Sequence, residues 1–293
     1  PRTSKDSVMA QVKQDLIDAQ DSLSENYVTA GRVRVNKFAA KAMLARVYLY
    51  NQEWAKAEET ASELIDNTTY LLESDCDNVF SESSHEAIFQ LLQVAPGTGT
   101  AEGIAYIPQD PTIIPDYYLS DTLLHAFETD DQRKMKWLNK NVVSVDGVDV
   151  DYYYPFKYKT GYAAPYPENI MVLRLAEQYL IRAEARAQLN NLTGANSGES
   201  DLNTIRARAG LLPTTAVTKE ELLSAIEHEN QIEFFCEWGH RWFDLRRTGR
   251  INEVMEGITP LKGGTWSSNW SVYPIPFYEI KLNPFLTQNA GYN

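Results

Sequence analysis

The stretch ELLSAIEHENQIEFFCEWGHRWFDLRRTG, from Glu221 to Gly249, contains the densest combination of carboxylates, guanidinium groups and aromatic rings in the chain. Its apolar residues recur at helical spacing. Glu229, Glu233 and Glu237 follow at every fourth position, which on a continuous helix would place them along one face. Two interpretations compete: an acidic metal or acid/base site, and the charged, aromatic joint of a helical scaffold.

The metal interpretation fails on spacing. Glu237 and His240 have the E-x-x-H spacing of di-iron carboxylate bundles, but such a site needs a second E-x-x-H from another helix. The three other histidines of the chain do not supply it, and Gly239 would interrupt the helix between the two ligands. We therefore predict no metal and no cofactor at these positions.

A structural role is the interpretation that the same residues favour. Carboxylates and arginines this close together are expected to form a partly buried charge network that fixes a helix corner, with aromatic rings packed beneath it. The predicted structural residues are Glu233, Glu237, Arg241, Trp242, Phe243 and Asp244.

Composition limits the classes of function. With 293 residues and 43% hydrophobic content, the chain can bury a large core. Its net charge of −13 argues against binding nucleic acid or anionic lipid through bulk electrostatics. No run of about 18 apolar residues is present, so we predict no membrane span. The two cysteines, Cys76 and Cys236, allow one disulfide and indicate no disulfide framework.

The hydrophobic patterns predict a mostly α fold. A helix is expected over residues 5–25, and Val35–Asn67 reads as a helical hairpin whose small and large residues are spaced as in one tetratricopeptide unit. A second pair is expected from Asn169–Leu189 with Asp201–Ala209, after a break at Gly194–Gly198. A third pair runs from a capping box at Thr218 and Glu221 to Gly249. The irregular spacing indicates a helical scaffold with a large insertion.

We predict a single domain over residues 1–293, with the scaffold at 1–94 and 169–250, the insertion at 95–168 and an extended tail at 251–293. The insertion opens on the flexible-looking sequence APGTGTAEG. It also contains Val142–Val150, which alternates around Asp146–Gly147 and indicates a β-hairpin. Calcium binding by the aspartates there is the weaker alternative, because the closing glutamate of a calcium loop is missing. Prolines in the tail argue against a continuous helix and favour extended segments.

Aromatic side chains are concentrated in the insertion and in a glycine- and serine-rich loop of the tail. Exposed aromatic faces stack on the apolar faces of pyranose rings, and they also serve as contact surfaces for partner proteins. The sequence leaves both interpretations open for any single residue. The predicted glycan-binding residues are Tyr117, Tyr118, Trp137, Tyr152, Tyr153, Tyr154, Trp266 and Trp270.

No arrangement in the sequence supports catalysis. A G-x-S-x-G nucleophile elbow is absent, and no neighbouring cysteine and histidine suggest a thiol nucleophile. The segment GTGTAEG lacks the lysine of a phosphate-binding loop and shows no signature of a following helix. We predict that the protein is not an enzyme, with a hydrolase that lacks a recognisable motif as the least favoured alternative.

Four segments, in one order, resemble the SusD/RagB family. EFFCEWGHRWFDLRRTG (residues 233–249) resembles the family's C-terminal signature, and AKAMLARVYLYNQEWAKAEETASELI (residues 40–65) resembles its tetratricopeptide-like hairpin. VLRLAEQYLIRAEARAQL with LNTIRARAGL (residues 172–189 and 202–211) and YPIPFYEIKLNPFLTQNAGY (residues 273–292) match its remaining conserved regions. On these segments the chain is identified as a member of the family.

Family members are outer-membrane, nutrient-binding lipoproteins of Bacteroidetes-type bacteria. The resemblance implies non-catalytic capture of oligosaccharides, sometimes peptides, at the cell surface and delivery to a TonB-dependent, SusC-like transporter. A lipid anchor would attach the protein to the outer membrane. The alternatives are a protein-interaction scaffold of the uptake complex and a binder of peptide instead of glycan.

The chain departs from the family pattern in two respects. Asn230 and Gln231 stand where members often carry two arginines, so no ion pairs are expected at these positions. Members also carry a lipidated N-terminal cysteine and a substantial segment before the position of Pro1. The chain therefore resembles the C-terminal part of such a protein, or a trimmed one. In known members, the preceding segment supplies part of the glycan site.

Overall fold

The computed structural model describes residues 2–93, 97–162 and 164–292. It confirms the mostly α fold, and its two short antiparallel sheets are β1–β4 and β2–β3. The strands are β1 (Ala87–Leu91), β2 (Leu138–Val145), β3 (Val148–Pro155) and β4 (Ile170–Arg174). The helices are α1 (Lys5–Ser22), α2 (Lys37–Tyr50), α3 (Trp54–Ile65), α4 (Ala101–Tyr106), α5 (Asp121–Leu124), α6 (Gln132–Lys136), α7 (Leu175–Gln188), α8 (Gly198–Arg208), α9 (Lys219–Glu233), α10 (His240–Arg247), α11 (Ile251–Ile258) and α12 (Phe277–Leu282).

The chain divides into two units. The larger unit runs from Leu16 to Trp238, and the smaller unit combines the two ends of the chain, up to Asp15 and from Gly239 onward. None of the helices in the described ranges is long and apolar enough to span a lipid bilayer.

Helices α2 and α3 form the predicted helical hairpin. The Asn36 side chain caps α2 by accepting a hydrogen bond from the backbone N–H of Ala39. Ala45 on α2 and Ala57 on α3 are fully buried in one apolar cluster with residues of α7. Because alanine has the smallest apolar side chain, these positions allow the helix axes to approach closely, as the tetratricopeptide pattern predicted.

The prediction of one continuous helix over residues 169–189 is wrong at its N-terminal end. Ile170–Arg174 is strand β4, which pairs antiparallel with β1, and α7 begins only at Leu175. A short run of large apolar residues is compatible with either a buried strand or a buried helix, and here pairing with Ala87–Leu91 determines the outcome.

Capping boxes begin α8 and α9. The box of α9 pairs Thr218 with Glu221, as predicted. The box of α8 pairs Ser197 with Ser200, so Gly198 opens this helix where the sequence indicated a break. Residues of α7, α8 and α9 share one apolar cluster, which makes these three helices the second layer of the scaffold.

The β-hairpin of the insertion is confirmed and is longer than predicted. Strands β2 and β3 pair from Leu138–Pro155 to Val145–Val148. The two-residue turn between them has φ values of 52° at Asp146 and 81° at Gly147, as a turn of primed type requires. In the described part of the chain, no three His, Cys, Asp or Glu side chains are arranged to hold a metal ion.

The opening of the insertion is packed where the sequence suggested flexibility. Ala95 and Pro96 lie outside the described residues, but Thr100 caps α4 through the backbone N–H of Gly103. A Cβ atom at Gly103 would collide with the carbonyl oxygen of Thr160, so glycine is required for this close approach. A short helix, α4, thus begins within GTGTAEG, although the local sequence shows no helix signature.

In the tail, the prolines prevent a continuous helix, as predicted. Short helices nevertheless form at α11 and α12, with 3₁₀ turns at Thr259–Lys262 and Ser268–Ser271 between them. Trp242 of α10 lies 6.2 Å from Trp266 and 5.6 Å from Tyr273, measured between ring centroids.

Candidate functional site

A network of buried, oppositely charged side chains connects the insertion to the helical scaffold. Arg174, at the end of β4, is 2% exposed and donates hydrogen bonds to Glu86 at 2.8 Å and to Glu233 at 2.5 Å. Its second Nη nitrogen donates to Glu237 at 2.9 Å. Arg208 also reaches both Glu86 and Glu233. Because these arginines surround Glu233, the pKa of its carboxyl group lies well below its usual range despite burial.

Two cations of the insertion enter the same network. Arg133 donates to Glu229 at 2.6 Å and to Glu233 at 2.9 Å, while Asp131 accepts from its remaining nitrogens. Lys157 donates to Glu237 at 2.6 Å. Burial lowers the pKa of the Lys157 ammonium group from 10.5 to about 8.

These contacts identify partners of the carboxylates in the stretch from Glu221 to Gly249, and they include arginines of other helices, one of the alternatives that the sequence allowed. Glu233 and Glu237 draw their cations from the insertion, β4 and α8, at positions that the stretch itself did not indicate. Asp244, on α10, pairs with Arg247 at 2.7 Å. Phe243 is 44% exposed, so the prediction that it packs beneath the network is wrong.

The charged groups of the network are not accessible to a ligand. The carboxylates of Glu233 and Glu237 and the Arg174 guanidinium are buried and hydrogen-bonded to one another. Beside the network, Glu102, Tyr106, Lys157 and Cys236 line a cavity of about 10 Å³, which is room for one water molecule. The network therefore serves to position the insertion.

The outer surface of the insertion presents aromatic rings. Tyr117 and Tyr118 are 60% and 55% exposed. The Tyr118 ring packs edge to face on Tyr152 of β3 at 5.1 Å, and Tyr117 packs in the same way on Tyr106 of α4 at 5.8 Å. We refer to Tyr106, Tyr117, Tyr118 and Tyr152 as the tyrosine surface.

The tyrosine surface is held in place by the β-hairpin. The side-chain amide of Asn141, on β2, donates to the carbonyl oxygens of Asp110 at 3.1 Å and Ile113 at 2.8 Å. The backbone N–H of Leu119 donates to the carbonyl of Tyr153 at 2.7 Å. These bonds anchor the loop before and after Tyr117 and Tyr118, so both rings stand on a fixed support.

Two predicted binding residues are in the core. Trp137 is 0% exposed, and its indole N–H donates to the carbonyl of Cys76 at 2.8 Å, while its ring packs on Phe80 at 5.7 Å. Tyr154 is 6% exposed. Neither ring can stack on a sugar in this structure, so these two predictions are wrong. Tyr153 is half-buried, with the Lys140 ammonium 5.7 Å above its ring.

The two predicted tryptophans of the tail lie together in the smaller unit. Trp266 and Trp270 pack edge to face at 6.0 Å, and Trp270 is 42% exposed. The Trp266 indole donates to the side chain of Asn252 at 3.0 Å, which fixes its ring. The structure thus brings Tyr117, Tyr118 and Tyr152 together on the larger unit and Trp266 with Trp270 on the smaller one.

One member of the tyrosine surface was not among the predicted binding residues. Tyr106 belongs to the crowded aromatics of the insertion, but nothing in its local sequence distinguishes it from a packing residue. Its contact with Tyr117 depends on α4, which the sequence did not predict. Burial raises the pKa of the Tyr106 hydroxyl to about 12, and this hydroxyl lies beside Cys236.

Solved structures share this fold. A SusD-like protein from Bacteroides fragilis superposes with a TM-score of 0.77 at 21% identity, covering 100% of this chain and 72% of that one. A laminarin binding SusD-like protein gives a TM-score of 0.75 at 24% identity, covering 99% and 70%. Surface glycan-binding protein A from Bacteroides thetaiotaomicron, in complex with laminarihexaose, gives 0.77 at 19% identity, covering 97% and 70%.

Sequence comparison gives the same relationship. SusD-like protein P38 from Formosa agariphila is 25% identical over the whole chain, which spans 66% of that protein's length. Starch-binding protein SusD from Bacteroides thetaiotaomicron is 36% identical over 44% of the chain and 23% of its own length. The profile of the SusD family matches residues 114–292, well over half of the chain. The resemblance noted in the sequence is confirmed, and the chain belongs to the SusD family.

Proposed function

We propose that the protein binds an oligosaccharide on the tyrosine surface without catalysing its cleavage. The observation that carries this proposal is the exposure of Tyr117 and Tyr118 on a support fixed by hydrogen bonds. Aromatic rings held in this way can stack on pyranose faces with little loss of conformational freedom on binding. Tyrosine hydroxyls and the neighbouring backbone can bond to sugar hydroxyls at the rim of the surface.

Two structural neighbours support a glycan as the ligand class. One is described as laminarin binding and the other was solved with laminarihexaose. Stacking and hydroxyl contacts need no proton transfer. This is consistent with the tyrosine surface, whose described residues do not combine a nucleophile with a general base. The two tail tryptophans, Trp266 and Trp270, are proposed as a second aromatic contact for glycan on the smaller unit.

Membership of the SusD family supports the cellular part of the proposal. We propose that the protein is held at the surface of the outer membrane by a lipid anchor and passes its glycan to a SusC-like, TonB-dependent transporter. Co-purification of the transporter with the full-length, anchored protein tests this step. If no transporter is captured from cells that use the glycan, the delivery role fails.

Calorimetry with laminarihexaose, followed by a panel of plant, host and fungal oligosaccharides, tests glycan binding. Alanine replacement of Tyr118 or Tyr152 should weaken binding about tenfold, because each removes one stacking ring or its support. Tyr278→Ala, at an exposed tyrosine of α12 on the smaller unit, is the control and should leave affinity unchanged. Binding of peptides but no glycan would overturn the proposal, and release of sugar by the pure protein would overturn its non-catalytic part.

One observation favours protein contact as a second function. Large apolar side chains of α12 and the residues after it are more than two thirds exposed: Phe277, Tyr278, Leu282 and Phe285. Exposed apolar clusters of this kind are typical of protein interfaces. If replacement of Phe277 and Phe285 by serine abolishes transporter capture while glycan affinity is retained, the scaffold role belongs to this segment.

A further inference from the structure

The two segments that carry the tyrosine surface are strongly acidic. The loop at residues 108–121 (PQDPTIIPDYYLSD) has three aspartates and no lysine or arginine, a charge of −3. The hairpin at residues 138–155 has three aspartates and one lysine, a charge of −2. All six aspartates are exposed: Asp110, Asp116, Asp121, Asp146, Asp149 and Asp151.

The single lysine of these segments is already engaged. Lys140 Nζ lies 2.6 Å from the Asp151 carboxylate, on the hairpin face shared with Tyr153. The side-chain hydroxyl and backbone N–H of Thr112 both donate to Asp110 and lower the pKa of its carboxyl group. At neutral pH this loop and hairpin therefore present a net negative field to an approaching ligand.

Two of these aspartates, Asp116 and Asp121, flank the exposed rings of Tyr117 and Tyr118 in the chain, so their field acts on a sugar bound there. Asp151 is paired with Lys140 on the face of β3 opposite Tyr152, so it adds little to this field. Asp116 directly precedes Tyr117, with Cα atoms about 3.8 Å apart, and Asp121 follows Tyr118 by three residues. Screening at physiological ionic strength acts over about 8 Å. A carboxylate or sulfate on a stacked sugar would therefore face these like charges largely unscreened.

We propose that the tyrosine surface selects uncharged oligosaccharides and rejects glycans that carry uronate or sulfate groups. The inference rests on the proposed glycan-binding function and names its ligand class. The rings supply attraction that is indifferent to charge, and the aspartates add repulsion only for anionic ligands. Discrimination of this kind comes from an unfavourable contact with the wrong ligand.

The test compares one glycan in two charge states. The neutral oligosaccharide that binds most tightly is oxidised at its primary C6 hydroxyls to carboxylates, and both forms are titrated into the protein by calorimetry. The oxidised form should bind at least about tenfold more weakly at 10 mM salt, with the gap shrinking at 1 M salt, where screening acts over about 3 Å. Reduction of the carboxylates back to alcohols should restore binding, which excludes damage to the glycan.

Two variants separate charge from shape. Asp116→Asn with Asp121→Asn should tighten binding of the oxidised glycan about three- to tenfold and leave the neutral glycan within about twofold. Glu59→Gln with Asp66→Asn, which removes two exposed charges at α3, should change neither. The inference is overturned if the oxidised glycan binds as tightly as the neutral glycan or more tightly. It is also overturned if the difference in affinity between the two glycans changes neither with salt nor in the aspartate variant. If neither form of any glycan binds, the proposed function itself fails.

Discussion

Arg133 of the insertion donates a hydrogen bond to Glu229 of α9 at 2.6 Å, although 96 residues separate the two in sequence. Both side chains are 1% exposed, so the ion pair is fully removed from water. The same guanidinium group binds Glu233 at 2.9 Å, one helical turn further on. The base of the insertion is thereby fixed to the scaffold through two buried carboxylates.

Removal of Arg133 should destabilise the protein severely. Arg133→Ala leaves Glu229 and Asp131 buried with fewer partners, and breaking a buried pair from one side typically costs about 3–5 kcal/mol. Urea denaturation followed by circular dichroism measures the change in the free energy of unfolding. Lys134→Ala, at the exposed neighbouring position, is the control and should stay within about 0.5 kcal/mol of the parent. A loss below about 1 kcal/mol for Arg133→Ala would contradict the proposed anchoring.

Lys157 should make stability rise with pH on the alkaline side. The folded protein releases the Lys157 proton near pH 8, whereas the unfolded chain keeps it to about pH 10.5. Between these values the unfolded state binds more protons, so the free energy of unfolding increases with pH, by at most about 1.4 kcal/mol per pH unit. Below pH 8 both states are protonated and this contribution to the slope vanishes.

Denaturation of the parent and of Lys157→Met at pH 7, 8, 9 and 10 isolates this contribution. The parent should show the more positive slope between pH 8 and pH 10. Ionisation of unfolded tyrosines adds an opposite slope toward pH 10, because burial raises the pKa of Tyr27 and Tyr158 in the folded state. Both proteins share this contribution, so the difference between their slopes removes it. Parallel pH profiles for the two proteins would show that Lys157 does not titrate as stated.

Trp137 should be a stability residue with no direct part in ligand binding. Trp137→Phe removes the hydrogen bond to the Cys76 carbonyl and leaves a cavity beside Phe80, which together should lower stability by about 2–4 kcal/mol. Glycan affinity, corrected for the folded fraction, should equal that of the parent. An affinity loss in fully folded Trp137→Phe would return this residue to the binding site.

The Thr218 cap offers a milder perturbation. Thr218→Ala removes the side-chain oxygen that accepts from the backbone N–H of Glu221 at 3.2 Å, and caps of this type contribute about 1 kcal/mol. Thermal unfolding should show a correspondingly lower midpoint. Thr215→Ala, in the loop just before α9, serves as the control and should have no effect of this size. An unchanged midpoint in Thr218→Ala would show that the start of α9 is held by other contacts.

The helical scaffold was predictable because its signals are local. Alanine spacing identified the α2–α3 hairpin, and the capping box at Thr218 marked the start of α9. The strand at Ile170–Arg174 was not predictable, since its four consecutive apolar residues fit a helix or a strand equally well until a partner strand is known. The counterions of Glu233 were hidden for a similar reason: Arg174 and Arg133 lie 59 and 100 residues away.

Prediction of the candidate site was partial. The aromatic content of the insertion pointed to the correct region, and Tyr117, Tyr118 and Tyr152 do lie together on its surface. Local sequence could not separate these from Trp137 and Tyr154, because exposure depends on how the hairpin is oriented on the core. Trp137 directly precedes β2, and Tyr154 is the second-last residue of β3. Both therefore lie at the end of the hairpin that is packed in the core, where their side chains are buried.

The attachment of the insertion to the scaffold through the buried charge network has an evolutionary consequence. Side chains that fix the insertion, such as Arg133 and Lys157, point into the scaffold, whereas Tyr117 and Tyr118 stand on the opposite, solvent-facing side. Substitutions on the outer side can therefore alter which ligand is held without disturbing the ion pairs that set the fold. A relative can therefore bind a different ligand after a few substitutions on the outer side. Loss of the buried arginines would instead detach the insertion from the scaffold.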